Sequence, residues 1–238
     1  MAAGASDPVS STHAISWNEN GEPVSLTFGD TYFSREDGRA ETRHVFIGGN
    51  GLPDRWTGSD NFTIGELGFG TGLNFLETCK VWKARRSIGQ RLNFIAVEAF
   101  PMTLEDNYRA LARWPDLAEL ADLLLTKRRE ASSTIVEMDG QTTLRIIEHP
   151  ASVALDRIQG PVDAWYLDGF APDRNPDMWS DDLMVEVADR TAPDGTFATY
   201  SSAGWVRRNL EAAGFEVEKR PGFGRKRHML AGMRKGVP

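Results

Sequence analysis

The sequence predicts an α/β fold, with a mostly parallel, doubly wound sheet, an antiparallel C-terminal hairpin and a small β-rich N-terminal extension. Three observations carry that prediction. Short apolar, β-prone runs (Phe62–Leu67, Leu92–Val97, Val162–Leu167) alternate with helical patterns, the signature of a sheet covered on both faces. The first run ends in a glycine-rich turn and a helix start, FTIGELGFGTGLNF. The last two apolar runs, Phe215–Glu218 and His228–Met233, are joined by a turn too short for a crossover helix.

The elements follow in order. Residues 1–12 (MAAGASDPVSST) lack a basic region and an apolar stretch; they read as a disordered lead and not a signal peptide. Residues 13–60 form the β-rich extension. Within it, Ile15 to Leu26 alternates around Asn20-Gly21, a hairpin signal, and Tyr32-Phe33 and His44–Ile47 offer further short strands. Residues 61–238 form the main domain. A helix runs from Leu73 to about Arg86, and Leu104–Trp114 and Asp116–Leu125 are helical after Pro101. Ile135–Ile147 is a hairpin turning at Asp139-Gly140. A short helix covers Ala151–Ile158 and a longer one, opened by Asn175-Pro176, covers Asp177–Arg190. Thr196–Tyr200 is a strand and Ala203–Ala213 a helix.

The glycines at 68, 70 and 72 leave a loop where backbone approaches a ligand closely or takes positive φ. A dinucleotide fingerprint needs a small residue at position 73, which is leucine. This disfavours a nicotinamide dehydrogenase. G-x-G-x-G preceded by Glu66 suits the Rossmann-like class I methyltransferases that use S-adenosylmethionine. Glu98, at the end of the second core strand, stands where a carboxylate accepts hydrogen bonds from ribose hydroxyls. The third core strand runs into Asp168-Gly169-Phe170-Ala171-Pro172. All these residues fall at carboxyl ends of strands, the edge where open α/β sheets bind ligands. An acid followed by small residues, an aromatic and a proline suits methyl transfer to an amine nitrogen, which attacks only as the neutral species. Deprotonating an alkylamine at pH 7 costs roughly 4–5 kcal/mol, so Asp168 is useful if it takes the proton or holds the amine in line.

Several segments together resemble the MnmC-type tRNA (5-methylaminomethyl-2-thiouridine) methyltransferases: GDTYFS…ETRHVFIGGN, GELGFGTGLNFL, VEAFP, DAWYLDGFAPDRNPDMW, SSAGWVRRNLEAAGF and RPGFGRKRHML. The resemblance covers about Ile15 to Met233. It implies transfer of a methyl group from S-adenosylmethionine to 5-aminomethyl-2-thiouridine at the tRNA wobble position. It further implies that Glu66, Gly68, Phe69, Gly70, Gly72 and Glu98 contact the cofactor, with Tyr32 and Asn74 lining its pocket. Asp168 with Phe170 would face the nucleobase amine, beside Pro172, and Arg225, Lys226 and Arg227 would meet RNA phosphates near the anticodon. Phe223, between two glycines, is placed either to stack on an unpaired base or to pack under its loop. Many relatives carry Gly-Asp at the adenine; the aligned positions here are His149-Pro150, leaving Asp139, Glu148, a backbone group or packing alone to hold that ring. Many relatives also fuse this domain to a flavin-dependent oxidoreductase that prepares the amine, so a separate such protein is an expected partner.

Composition supports an RNA partner through its asymmetry. The chain has a net charge of −7, yet Arg207 to Lys235 holds nine basic residues against three acids, a basic tail on an acidic body. That tail disfavours a small-amine methyltransferase without an RNA partner, and the cofactor residues disfavour a non-catalytic RNA-binding module. The single cysteine, Cys79, excludes a disulfide framework and fits a reducing, cytoplasmic location. No apolar run has the length of a membrane span. The four histidines lack metal-ligand spacing, so no metal site is expected.

Overall fold

The computed structural model describes residues 14–131 and 133–236. The lead segment 1–12 lies outside them. The main sheet has eight strands: β3 (Asn61–Leu67), β4 (Arg91–Val97), β5 (Ile135–Asp139), β6 (Thr142–Ile147), β7 (Val162–Leu167), β8 (Thr191–Thr199), β9 (Phe215–Pro221) and β10 (His228–Arg234). Their spatial order is β5-β6-β4-β3-β7-β8-β10-β9. The five strands from β6 to β8 are parallel. Both edges are antiparallel: β5 on β6 at one, β10 and β9 beyond β8 at the other. The chain winds outward from β3 to β6 and then returns to β7 on β3's other side. The order therefore reverses between β3 and β7, and a crevice opens at their carboxyl ends.

Helices cover both faces. On one lie α1 (Gly38–Glu41), α2 (Leu73–Arg85), α3 (Leu104–Leu111) and α4 (Ala118–Glu130); on the other lie α5 (Ala151–Ala154), α6 (Asp181–Asp189) and α7 (Gly204–Ala212). Central strands buried on both faces need apolar side chains in both directions. Ile64, Phe94 and Ala164 share one register and face one core, while Trp165, paired with Gly65 on β3, faces the other. Gly65 makes room for the indole, since a Cβ there would lie 2.5 Å from it. Side-chain oxygens cap three helices, Asp37 on α1, Thr103 on α3 and Ser180 on α6.

The region ahead of β3 corrects one strand expectation and narrows another. The hairpin around Asn20-Gly21 is present, β1 (Ile15–Trp17) against β2 (Pro23–Ser25). Near Tyr32-Phe33 the strand is reduced to one bridge, Thr31 with Val24. His44–Ile47 is helical, part of a π-helical stretch, Thr42–Gly48, that continues α1. Its β-branched residues suggested a strand, but Val45, Phe46 and Ile47 are all buried, with no alternation. The Asp37 cap starts the helix and packing on the sheet keeps it, Phe46 stacking on Tyr166 at 5.3 Å.

Candidate functional site

At the crevice lies a cavity of about 1270 Å³. The glycine turn after β3 forms its floor. Gly68 has φ +95° and its position leaves a Cβ only 2.5 Å from the Asp168 carbonyl oxygen, so no side chain fits between the ends of β3 and β7. The turn is fastened by Glu98. One Glu98 oxygen accepts from Gly70 N (2.8 Å) and the other from Phe100 N (2.8 Å). A carboxylate has lone pairs for about four hydrogen bonds, which leaves acceptor capacity on each oxygen. Burial raises the Glu98 pKa, and these two backbone bonds oppose the rise.

Asn74, in the first turn of α2, ties the acids together. Its Nδ2 donates to Glu66 Oε1 (2.8 Å) and to Asp168 Oδ2 (2.7 Å), while its Oδ1 accepts from Thr42 Oγ1 (2.6 Å). Glu66 is fully buried, and its Oε2 has no partner among the described residues. Desolvation, then the nearby Asp168 charge, holds it well above the usual carboxylate range. Asp168 is pushed up to about 7, by burial first and then by the Glu41 carboxylate. The Asn74 bond and the Lys226 ammonium pull the other way.

The rest of the wall is aromatic. Phe170 stacks on Phe28 (4.8 Å between centroids) and meets Tyr32 edge-on (5.1 Å). Phe28 also meets Phe100 (5.9 Å). Asp30 fastens this cover to the loop after β7, its Oδ2 accepting from Ala171 N (3.0 Å), and the Arg174 guanidinium donates to the carbonyls of Phe28 and Gly29.

Nine of the residues singled out from the sequence line the cavity: Tyr32, Gly68, Phe69, Gly70, Asn74, Glu98, Asp168, Phe170 and Lys226. Glu66 and Gly72 do not reach the wall. Glu66 stands behind Asn74, and a Cβ on Gly72 would strike the Phe69 ring at 2.9 Å. Pro172 is buried away from the wall, and Phe223 packs against the core beside His44. Arg225 and Arg227 are exposed on the loop between β9 and β10. Of the two acids expected as substitutes at the adenine, Asp139 lies at the far end of the sheet from the cavity, where both its oxygens accept from Arg86 (3.0 Å each), and Glu148 is exposed and off the wall. Pro150, Ala151 and Ser152, which follow His149, line the cavity. Sequence reasoning missed Phe28, Asp30, Glu41, Phe100 and Tyr200. The only signal was their place inside or beside the recognised segments, since they gather through the fold and not through spacing.

Folding raises the Asp168 pKa, so between about 4 and about 7 the native state binds more protons than the unfolded chain. The associated stability is full below the unfolded value and is lost as pH rises through the folded one. Asp168→Asn, which carries no charge, should therefore gain stability relative to the parent between pH 5 and pH 8. Thermal unfolding of both proteins without cofactor checks this; a pH-independent difference in Tm would contradict it.

A doubly wound sheet, a G-x-G-x-G turn and a carboxylate at the end of the neighbouring strand define the Rossmann-like class of methyltransferases. The sequence profile of the S-adenosyl-L-methionine-dependent methyltransferases matches residues 116–235, and the chain belongs to this family. It is 45% identical to the tRNA 5-methylaminomethyl-2-thiouridine biosynthesis bifunctional protein MnmC of Caulobacter sp. (strain K31), over 98% of this chain and 40% of that protein. It is 44% identical to the protein of the same name from Pseudomonas aeruginosa (strain ATCC 15692), over 94% of this chain and 35% of that one. The chain thus spans well under half the length of these relatives. Among solved structures, MnmC2 from Aquifex aeolicus superposes with a TM-score of 0.76 at 22% identity, covering 97% of this chain and 73% of that one.

The family's cofactor is S-adenosylmethionine, and the cavity suits it. The volume exceeds the usual range for one small ligand, roughly 300–1,000 Å³, leaving room for a second substrate. The acids gathered at the wall, Glu41, Glu98 and Asp168, favour a sulfonium and an ammonium. Among the described residues no group of three or more His, Cys, Asp or Glu side chains is arranged to hold a metal ion, and no helix is long and apolar enough to cross a membrane.

Proposed function

We propose that this chain N-methylates the 5-aminomethyl group of 5-aminomethyl-2-thiouridine at the tRNA wobble position, giving the 5-methylaminomethyl form. The observation that carries the reading is Asp168, a carboxyl pushed up to about 7 on the wall it shares with Glu98. The name of the relatives, tRNA 5-methylaminomethyl-2-thiouridine biosynthesis bifunctional protein, supplies the substrate class.

Bound S-adenosylmethionine supplies an electrophilic methyl group. The chain's own residues then have three tasks. Glu98 accepts from the ribose hydroxyls with the lone pairs left free by Gly70 N and Phe100 N. Phe170, held by Phe28 and by the Trp179 Nε1 bond to its carbonyl, lines the cavity beside Asp168 as apolar surface for the uracil. Asp168 removes a proton from the substrate ammonium. With an ordinary aspartate, transfer from an amine near pKa 10.4 would be uphill by roughly 9 kcal/mol. At about 7 the penalty falls to roughly 4–5 kcal/mol, at 1.36 kcal/mol per pKa unit. That matches the cost of losing the proton to water at pH 7, so Asp168 supplies the acceptor inside the cavity without adding to that cost. Asn74 keeps the carboxylate pointed, bonding one oxygen and leaving the other for the proton.

For the RNA, Arg225 and Arg227 are the outward cations of the loop, and the anticodon region is the part of tRNA that must approach the cavity. Each phosphate neutralised on a single strand contributes about 0.7 to the slope of log K against log salt. Arg225→Ala/Arg227→Ala should therefore weaken tRNA binding and flatten that slope by about 1.4; an unchanged slope would remove this loop from the interface. The amine itself must come from another activity, for which a flavin-dependent oxidoreductase is the expected source. The direct test is incubation with labelled S-adenosylmethionine and tRNA bearing the aminomethyl group, followed by nucleoside analysis. Label in 5-methylaminomethyl-2-thiouridine is expected; label elsewhere, or none, contradicts the reading.

A further inference from the structure

Lys226 belongs to the exposed loop between β9 and β10, yet its ammonium is turned inward. Nζ donates to Glu41 Oε1 (2.9 Å) and lies 3.8 Å from the centroid of the Tyr200 ring. Glu41 is nearly buried, and the Tyr200 hydroxyl is committed to the Gly169 carbonyl (2.7 Å), so the ring is fixed with its face toward the amine. A buried carboxylate and a fixed aromatic face form the two halves of a primary-ammonium site. Glu41, Tyr200, Lys226 and Asp168 line the same cavity. Asp168 senses both the Glu41 carboxylate and the Lys226 ammonium.

We propose that Glu41 and the face of Tyr200 are the seat of the substrate's ammonium, and that Lys226 occupies this seat in the RNA-free protein. The inference rests on the amine-methylation reading given above. The substrate arrives charged and needs a site that holds –NH₃⁺ before Asp168 takes a proton; Lys226 already displays that chemistry. The loop is also built to let go. Apart from Lys226 and the half-buried Phe223 ring, which packs against the core beside His44, it is fastened to residues 36–44 by the Arg225–Glu36 contact, at 3.7 Å with Arg225 98% exposed, and by the His44 Nε2 bond to the Pro221 carbonyl (2.9 Å). Exposed pairs of this kind are weak, and RNA phosphates compete directly for Arg225. Binding of tRNA lifts Lys226 from Glu41 and opens the seat only when the correct polymer is present, so a free nucleoside meets a filled site.

The test compares the nucleoside 5-aminomethyl-2-thiouridine with anticodon stem–loops carrying either that base or 2-thiouridine, all titrated in the presence of S-adenosylhomocysteine. Lys226→Met should tighten binding of the free nucleoside about tenfold, the worth of one hydrogen bond to a charged group, with a smaller gain for the aminomethyl stem–loop. Glu41→Gln should reduce the preference for the aminomethyl stem–loop over the 2-thiouridine one from about tenfold or more to near unity. Unchanged nucleoside affinity in Lys226→Met, together with an unchanged preference in Glu41→Gln, overturns the proposal. A parent protein that methylates the stem–loop while both variants behave in that unchanged way rejects the seat alone. A parent that methylates no aminomethyl RNA rejects the underlying reading of the function.

Discussion

Asp168→Ala is expected to lower the methyl-transfer rate by about 10²–10⁴-fold, the range of a lost general base, while affinity for S-adenosylmethionine stays within a few-fold. The two effects separate because Asp168 and Glu98 stand on different strands of one rim. Asp168 follows β7 and hangs from Asn74, whereas Glu98 follows β4 and hangs from the glycine turn. Single-turnover rates on aminomethyl RNA and a cofactor titration measure them independently. A variant that loses cofactor binding with the rate would move Asp168 from the amine to the cofactor. Asp168→Asn should lose the rate nearly as far, since it keeps the contact with Asn74 and cannot accept the proton.

Glu98→Ala is the complementary experiment, and its effect should fall on affinity. The substitution removes the carboxylate proposed to accept from the ribose hydroxyls and also strands Gly70 N and Phe100 N. Two hydrogen bonds to a charged acceptor are together worth about 3 kcal/mol or more, so the Kd for S-adenosylmethionine should rise by about two orders of magnitude. Calorimetry gives the number directly. The shift in Tm on adding cofactor gives a second reading, since stabilisation by a ligand follows its Kd. An unchanged Kd would dissociate Glu98 from the ribose.

The parallel core was legible in the sequence because its signals are local. Apolar runs buried on both faces and a glycine turn before a helix need no knowledge of distant residues, and β3, β4 and β7 lie where those runs are. Glu98 and Asp168 were legible for a related reason: strand ends at the switch point share one edge of the sheet whatever else the chain does. The cover was not. Phe28, Asp30 and Glu41 reach the site through long-range contacts with Phe170, Ala171 and Lys226, and no periodicity announces such pairs. The helix at 42–48 was hidden by β-branched residues whose burial overrides their propensity. Lys226 shows the same limit, since within a run of three basic residues nothing distinguishes the one that turns inward.

The most direct measurement of the central claim is the single-turnover rate on aminomethyl RNA from pH 5.5 to pH 9. If Asp168 takes the proton from the bound ammonium, the rate rises with unit slope and levels off above about pH 7, whereas Asp168→Asn, left with solvent as the base, is slower and keeps climbing through pH 9. A parent rate that keeps climbing through pH 9, parallel to the Asn variant, would mean that solvent deprotonates the amine and that Asp168 is not the base.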